Sequence, residues 1–237
     1  MIKKWMLIIL IAVITLAAGL YLIYRMFFSI NGRSIKVFEF LRNPLNHQEL
    51  ILPAKSRCGE APFILPTSGM IGFIWGDSFR PGHRHQGIDI FSGMDVGETP
   101  VYAAYDGYLT RRGDWKSSVI IRIPSDPLQP DRQIWTYYTH MADLSGNSLI
   151  ALDFPPGTSE VFVTAGSLLG YQGNYSGVPG NPTGVHLHFS IVKDDGEGLF
   201  RNELEIKNTL DPSTYFGMDL NASENADSIP ACMHPGN

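Results

Sequence analysis

The stretch that decides the fold runs Gly184-Val185-His186-Leu187-His188-Phe189. Apolar and polar residues alternate from Val185 to Phe189, which is the period of a half-buried strand. On a strand His186 and His188 share one face, while Val185, Leu187 and Phe189 point the other way into a core. On a helix the two imidazoles would diverge by about 200° and the repeat would lose its sense.

Upstream, His85-Gln86-Gly87-Ile88-Asp89 carries a second pair. His85 and Asp89 also share a face of a strand, and Gly82, Gly87 and Gly93 make a helix a poor alternative. A further histidine, His140, ends the run Gln133–His140. Short runs rich in β-branched and aromatic residues fill the interval: Met70–Trp75, Val101–Ala104, Gly107–Thr110, Ser118–Ile123, Glu160–Thr164 and Ser167–Gln172. Turn signals separate them, and the Gly and Pro counts of 24 and 16 fit a chain of many turns. The expectation is an all-β, compact antiparallel sheet or sandwich domain over 66–196, with Leu144 to Ser159 as a long loop. Residues 26–65, broken by Pro44, Pro53 and Pro62, read as a stalk. Residues 197–237 read as a partly flexible extension in which Leu199 to Ile206 forms a helix.

The N-terminus is of another kind. Trp5 to Tyr24 is an uncharged run of 20 residues, of which 18 are apolar, flanked by Lys3, Lys4 and Arg25. A helix of that length rises about 30 Å, the thickness of a bilayer's hydrocarbon core. Residues 1–25 therefore read as a transmembrane anchor crossing the cytoplasmic membrane through residues 5–24. A signal peptide is the rival, although its apolar region runs only about 7–15 residues. The flanking charges do not decide the orientation. Beyond residue 25 the chain has 15 basic and 23 acidic side chains, a net of −8. Such a body has no electrostatic footprint for nucleic acid. Mean hydropathy of −0.02 and 17% charged residues exclude a mostly disordered chain.

Five side chains in one β-rich region, His85, Asp89, His140, His186 and His188, suit a zinc site. Zn²⁺ takes nitrogen and oxygen ligands and keeps a position for water in catalytic centres. Five groups exceed the three ligands required, and surplus histidines suit proton transfer beside a metal-bound water. His83, two before His85, could compete for the metal, and His83-Arg84-His85 also resembles the metal-binding pair of cupins. His47 and His234 fall in stalk and tail. Cys58 and Cys232 bracket the domain and could form one disulfide in an oxidising compartment, or be two unrelated thiols.

The ordered motifs resemble those of the M23 peptidases, the lysostaphin and LytM-like zinc endopeptidases. Arg80 to Ile90 is similar to that family's H-x-G-x-D segment, Tyr137 to Met141 to its Y-x-H-L/M segment, and Gly184 to Ser190 to its G-x-H-L-H-F segment. Pro100 to Tyr108 and Glu160 to Gly173 are similar to two further family stretches, and Leu210-Asp211-Pro212 to a closing one. The resemblance covers about residues 66–216. It departs from the pattern in a longer chain between His140 and Glu160 and a stretched turn before His186. By position it implies His85, Asp89 and His188 as zinc ligands, and His140 and His186 as catalytic histidines, either of which could be the base. It further implies the family's duplicated β fold, peptidoglycan peptides as substrate and a catalytic domain on the extracytoplasmic side. The alternative is a catalytically silent domain of this type that activates or scaffolds other wall hydrolases.

Overall fold

The computed structural model describes residues 2–27, 32–78 and 82–233. Arg80, Pro81 and His234 lie outside the described residues. The chain is mostly antiparallel β with few helices: α1 (Ile2–Phe27), α2 (Gly32–Arg42), β1 (Met70–Phe73), β2 (Ile88–Phe91), β3 (Pro100–Tyr102), β4 (Gly107–Thr110), β5 (Val119–Ile123), β6 (Ile134–Thr139), β7 (Val161–Val163), β8 (Leu168–Tyr171), β9 (Gly173–Tyr175), β10 (Pro182–Lys193), β11 (Thr209–Leu210) and α3 (Ser213–Phe216). One sheet runs β1-β2-β10-β6-β5-β4-β7, with β9 and β11 also paired to β10, and β3 pairs with β8 apart from it.

The strand β10 is the spine of the sheet. Its alternation sends Leu187, Phe189 and Ile191 to one face, where they are fully buried with Ile88, Ile90, Ile121 and Tyr138. Each such side chain contributes about 1.5–3 kcal/mol by leaving water. The Tyr138 hydroxyl reaches the core and accepts a hydrogen bond from the Ala104 amide at 2.9 Å. The opposite face of β10 carries His186, His188, Ser190 and Val192. At its far end Val192 packs with Ile120 and Trp135 beneath Trp115, Tyr137 and Phe200. At its near end the two histidines meet an open cleft.

Gly87 fixes how closely β2 approaches β10. A Cβ there would lie 2.0 Å from the Phe189 carbonyl oxygen, so only hydrogen fits. Gly72 does the same for α2, since a Cβ would meet Val37 and Phe91 at 2.8 Å.

The segment expected as a stalk is folded onto the sheet. In α2, Val37 and Phe40 are fully buried against Met70 and Phe91, and Arg33 is fully buried beside them. Phe63 and Leu65 belong to the main core, and Thr67, just across the expected boundary at 66, is fully buried. The C-terminal extension contributes Tyr215, Phe216, Met218 and Leu220 to the same core. The Tyr215 hydroxyl donates to buried Asp126 at 2.8 Å, which Arg132 also engages. A disulfide joins Cys58 to Cys232, with Cα atoms 5.2 Å apart.

No helix forms over Leu199 to Ile206. Asp194 Oδ1 accepts from the amides of Gly196 and Gly198, and Asp195 Oδ1 from those of Glu197 and Leu199. Asn202 Oδ1 then accepts from the Leu204 amide. These short side chains offer the backbone local partners that compete with helical ones, and Gly196 and Gly198 take positive φ.

The helix α1 packs against nothing among the described residues. Lys4–Leu22 has a mean hydropathy of 2.5 and no buried residue. It is long and apolar enough to cross a membrane, as an anchor or as a signal sequence. A core helix of the folded body is excluded by that exposure. Thr15 turns its hydroxyl back to the Ile11 and Ala12 carbonyls at 3.0 Å, which satisfies the polar group inside the helix.

Candidate metal centre

Strand pairing builds half of the site. His188 stands opposite Asp89 of β2 on one side and Thr139 of β6 on the other. His186 stands opposite Gly173 of β9. The two β10 histidines and Asp89 thus reach the same face by register alone.

His85 arrives differently. It precedes β2, so a continuous strand face does not carry it to Asp89 as the four-residue spacing predicts. The turn Ile74–Asp77 holds it instead. Its amide donates to the Asp77 carbonyl at 2.7 Å, and its carbonyl accepts from the Gly76 amide at 2.8 Å. Its Nδ1 meets the Ile74 carbonyl at 3.1 Å. His140 is also outside a strand, one residue beyond β6, with φ at 72°. That left-handed conformation is costly for a residue with a side chain and persists where the surroundings impose it. Here Met141 donates its amide to Ser117, and the neighbouring backbone closes on Gly173, where a Cβ would lie 2.5 Å from the His140 carbonyl.

Three ligand atoms converge. His188 Nδ1 lies 2.8 Å and His85 Nε2 3.1 Å from Asp89 Oδ1, and the two nitrogens are 3.0 Å apart. Among the described residues this is the group that could hold a metal ion. The donor chemistry fits one. The Ile74 carbonyl can only accept, so in the neutral ring His85 carries its hydrogen on Nδ1 and turns a bare Nε2 towards Asp89. His188 has its Nε2 engaged by the Ser190 hydroxyl at 2.9 Å, which leaves Nδ1 facing the same point. With the Ser190 hydroxyl donating to His188 Nε2, the hydrogen of that ring would sit on Nδ1; with it accepting, Nδ1 turns a lone pair to the same point as His85 Nε2 and Asp89, the arrangement a cation would hold together. The second partners on Ile74 and Ser190 are those that orient metal-binding histidines.

Electrostatics agree with a cation-seeking cluster. Burial opposes charge on Asp89, but His85, His186 and His188 outweigh it and hold the carboxyl well below its usual range. Burial likewise opposes charge on His85, and Asp89 outweighs it, raising that pKa. Burial dominates at His186 and pushes it down to about 4, so this imidazole stays neutral at working pH.

The remaining two histidines adjoin the three. His186 Nε2 is 3.6 Å from Asp89 Oδ1, and its ring centroid is 4.5 Å from that of His140. Phe91 stacks on His186 with ring centroids 4.9 Å apart. In both, Nδ1 faces a carbonyl at 2.7 Å, that of Gly184 for His186 and of Tyr175 for His140. Both therefore keep Nε2 free of hydrogen in the neutral ring.

All five histidine and aspartate candidates line one cleft of ≈ 420 Å³, together with Tyr137, Tyr175 and Glu203. A neighbouring cleft of ≈ 890 Å³ shares His83, Gln86 and Leu204 with it. His83 stands on the cleft wall, and the trio that converges among the described residues does not include it. Sequence reasoning missed Glu203, whose carboxyl burial pushes up. It also missed Arg33 and Asp77, since nothing in the spacing of either points to the site.

No family model matches the sequence, and no curated protein matches it. Among solved structures the chain is similar to the antimicrobial peptidase lysostaphin from Staphylococcus simulans, at 22% identity and TM-score 0.40, over 62% of this chain and 49% of lysostaphin. It is similar to Helicobacter pylori Csd3 at 19% identity and TM-score 0.39, over 71% of this chain and 36% of Csd3. It is also similar to the catalytic domain of the prophage-encoded M23 protein EnpA from Enterococcus faecalis, in a mutant form. That match has 22% identity and TM-score 0.37, over 63% of this chain and 95% of that domain. Of these, lysostaphin is a peptidase and EnpA an M23 protein, and the chain spans about half the length of lysostaphin.

Proposed function

We propose that this chain is a zinc endopeptidase that hydrolyses peptide bonds in peptidoglycan, tethered by α1 with its folded body on the extracytoplasmic side of the membrane. The observation that carries the reading is the convergence of His85, Asp89 and His188, with two further imidazoles presenting Nε2 beside them. The motif resemblance supplies the substrate class. The disulfide supports the side of the membrane, because such bonds persist in oxidising compartments.

His85, Asp89 and His188 would hold the ion. When bound there, zinc supplies an activated water and a Lewis acid for the scissile carbonyl. The protein supplies the rest. His186 and His140 are locked by their carbonyl partners so that each Nε2 can accept a proton at the cleft. The imidazole that has taken the proton then becomes a donor to the developing oxyanion or the departing amine. Phe91 stacked on His186 removes water from one side of that ring.

The test uses the full chain in detergent, mixed with purified peptidoglycan, and reads new amino termini together with bound zinc. Release of amino termini that stops with a chelator, returns with zinc and is lost with the metal in His188→Ala supports the reading. Undiminished hydrolysis by His188→Ala overturns the zinc assignment. Bound zinc with no new amino termini overturns the enzyme and favours the silent scaffold.

A further inference from the structure

The fully buried Arg33 of α2 lies far from the cleft in sequence, yet its contacts lead straight to a metal ligand. Its guanidinium pairs with Asp77 Oδ1, and its other nitrogens donate to the Gly72 carbonyl at 3.1 Å and the Asn225 carbonyl at 2.5 Å. Asp77 uses its second carboxylate oxygen to accept from the Ile74 amide at 2.8 Å. The turn closed in this way offers His85 its two backbone partners and the Ile74 carbonyl that fixes its ring. Every link between α2 and His85 is a named hydrogen bond or ion pair.

We propose that Arg33 is a positioning residue for the metal site, acting through Asp77 and the Ile74–Asp77 turn to aim His85. The proposal rests on the metal reading above. Two physical points favour it over simple packing. First, a charged pair this deeply buried is a poor source of stability, because desolvation opposes the attraction. Burial does press Arg33 down and Asp77 up from their ordinary values. A guanidinium here is better explained by its fork geometry, which ties three separate segments at fixed angles. Second, His85 has no strand to place it, and the turn that does the work has Asp77 as its brace. Only residues 28–31 separate α2 from the apolar α1. The metal site and the membrane-proximal helix are therefore one mechanical unit: α2 must stay docked for His85 to point at Asp89.

The test measures zinc affinity of the full chain in detergent by competition with a chromophoric chelator, and the absorption bands of the Co²⁺-loaded chain. Arg33→Met should weaken zinc binding about tenfold and alter the cobalt bands. Arg33→Lys keeps the charge opposite Asp77 but not the fork, and should fall between Arg33→Met and the wild type in both readouts. Phe40→Leu, on the same helix and in none of the hydrogen bonds that close the turn, should lower thermal stability while leaving affinity and bands as in the wild type. Wild-type affinity in Arg33→Met, or an equal loss in Phe40→Leu, overturns the proposal. If Arg33→Met does not fold, Arg33→Lys decides: weakened zinc binding with altered cobalt bands, against wild-type values in Phe40→Leu, supports it, and wild-type affinity and bands in Arg33→Lys overturn it. A wild-type chain that binds no zinc fails the metal reading itself, a separate outcome.

Discussion

The five cleft residues divide into two sets by how they are held. Asp89, His186 and His188 sit within strands, where register against neighbours fixes each position. His85 and His140 sit just outside strands and depend on backbone braces drawn from elsewhere, the Ile74–Asp77 turn for one and the Ser117 and Gly173 contacts for the other. A strand places side chains through many cooperative hydrogen bonds, so its geometry is robust and periodic. A braced loop places them through a few specific contacts, each of which is a point of failure. The site therefore combines a stiff half with a half that other parts of the chain can disturb.

That division can be broken from the stiff side. His186→Ala should lower the hydrolytic rate about 10²–10⁴-fold, the scale of a lost acid–base group, while bound zinc stays stoichiometric. Loss of zinc as well would mean that the two β10 histidines act as one ligand set. A smaller effect comes from the seam between the sets. Gly87→Ala forces a methyl group onto the Phe189 carbonyl and should cost about 3 kcal/mol in urea unfolding. Zinc affinity should fall with it, because Gly87 joins His85 to Asp89. An unchanged urea midpoint would show that β2 and β10 are not locked in this register. The smallest effect sharpens the comparison. Ser190→Ala removes the hydroxyl at His188 Nε2 and should weaken zinc about tenfold, with the rate per bound zinc unchanged. No change in affinity would show that β10 register alone orients the ring.

The same division explains what the sequence discloses. The strand-borne half is legible because a two-residue period is written in the residues themselves: Val185, Leu187 and Phe189 announce the core face, and His186 and His188 follow on the other. Most runs with this texture, such as Gly107–Thr110 and Gln133–His140, match strands to within a residue or so. The loop-borne half is legible only as composition. His85 and His140 stand out as histidines, but their braces, Asp77, Arg33 and the glycine at 173, carry no local signature, since they act across the fold. Prolines at 44, 53 and 62 suggest an extended stalk, yet the neighbouring Val37, Phe40, Phe63 and Leu65 find a surface to bury against. Similarly, Leu199 to Ile206 has adequate helix formers, and the carboxylates of Asp194 and Asp195 capture the preceding amides instead.

Finally, the bond between Cys58 and Cys232 joins positions 174 apart and draws a covalent ring around every strand from β1 to β11. A single peptide cut anywhere within that ring, including the long connection from Leu144 to Ser159, leaves one molecule with two halves that cannot diffuse apart. Clipped and intact chains then migrate together until a reductant opens the ring, and only then do the fragments separate.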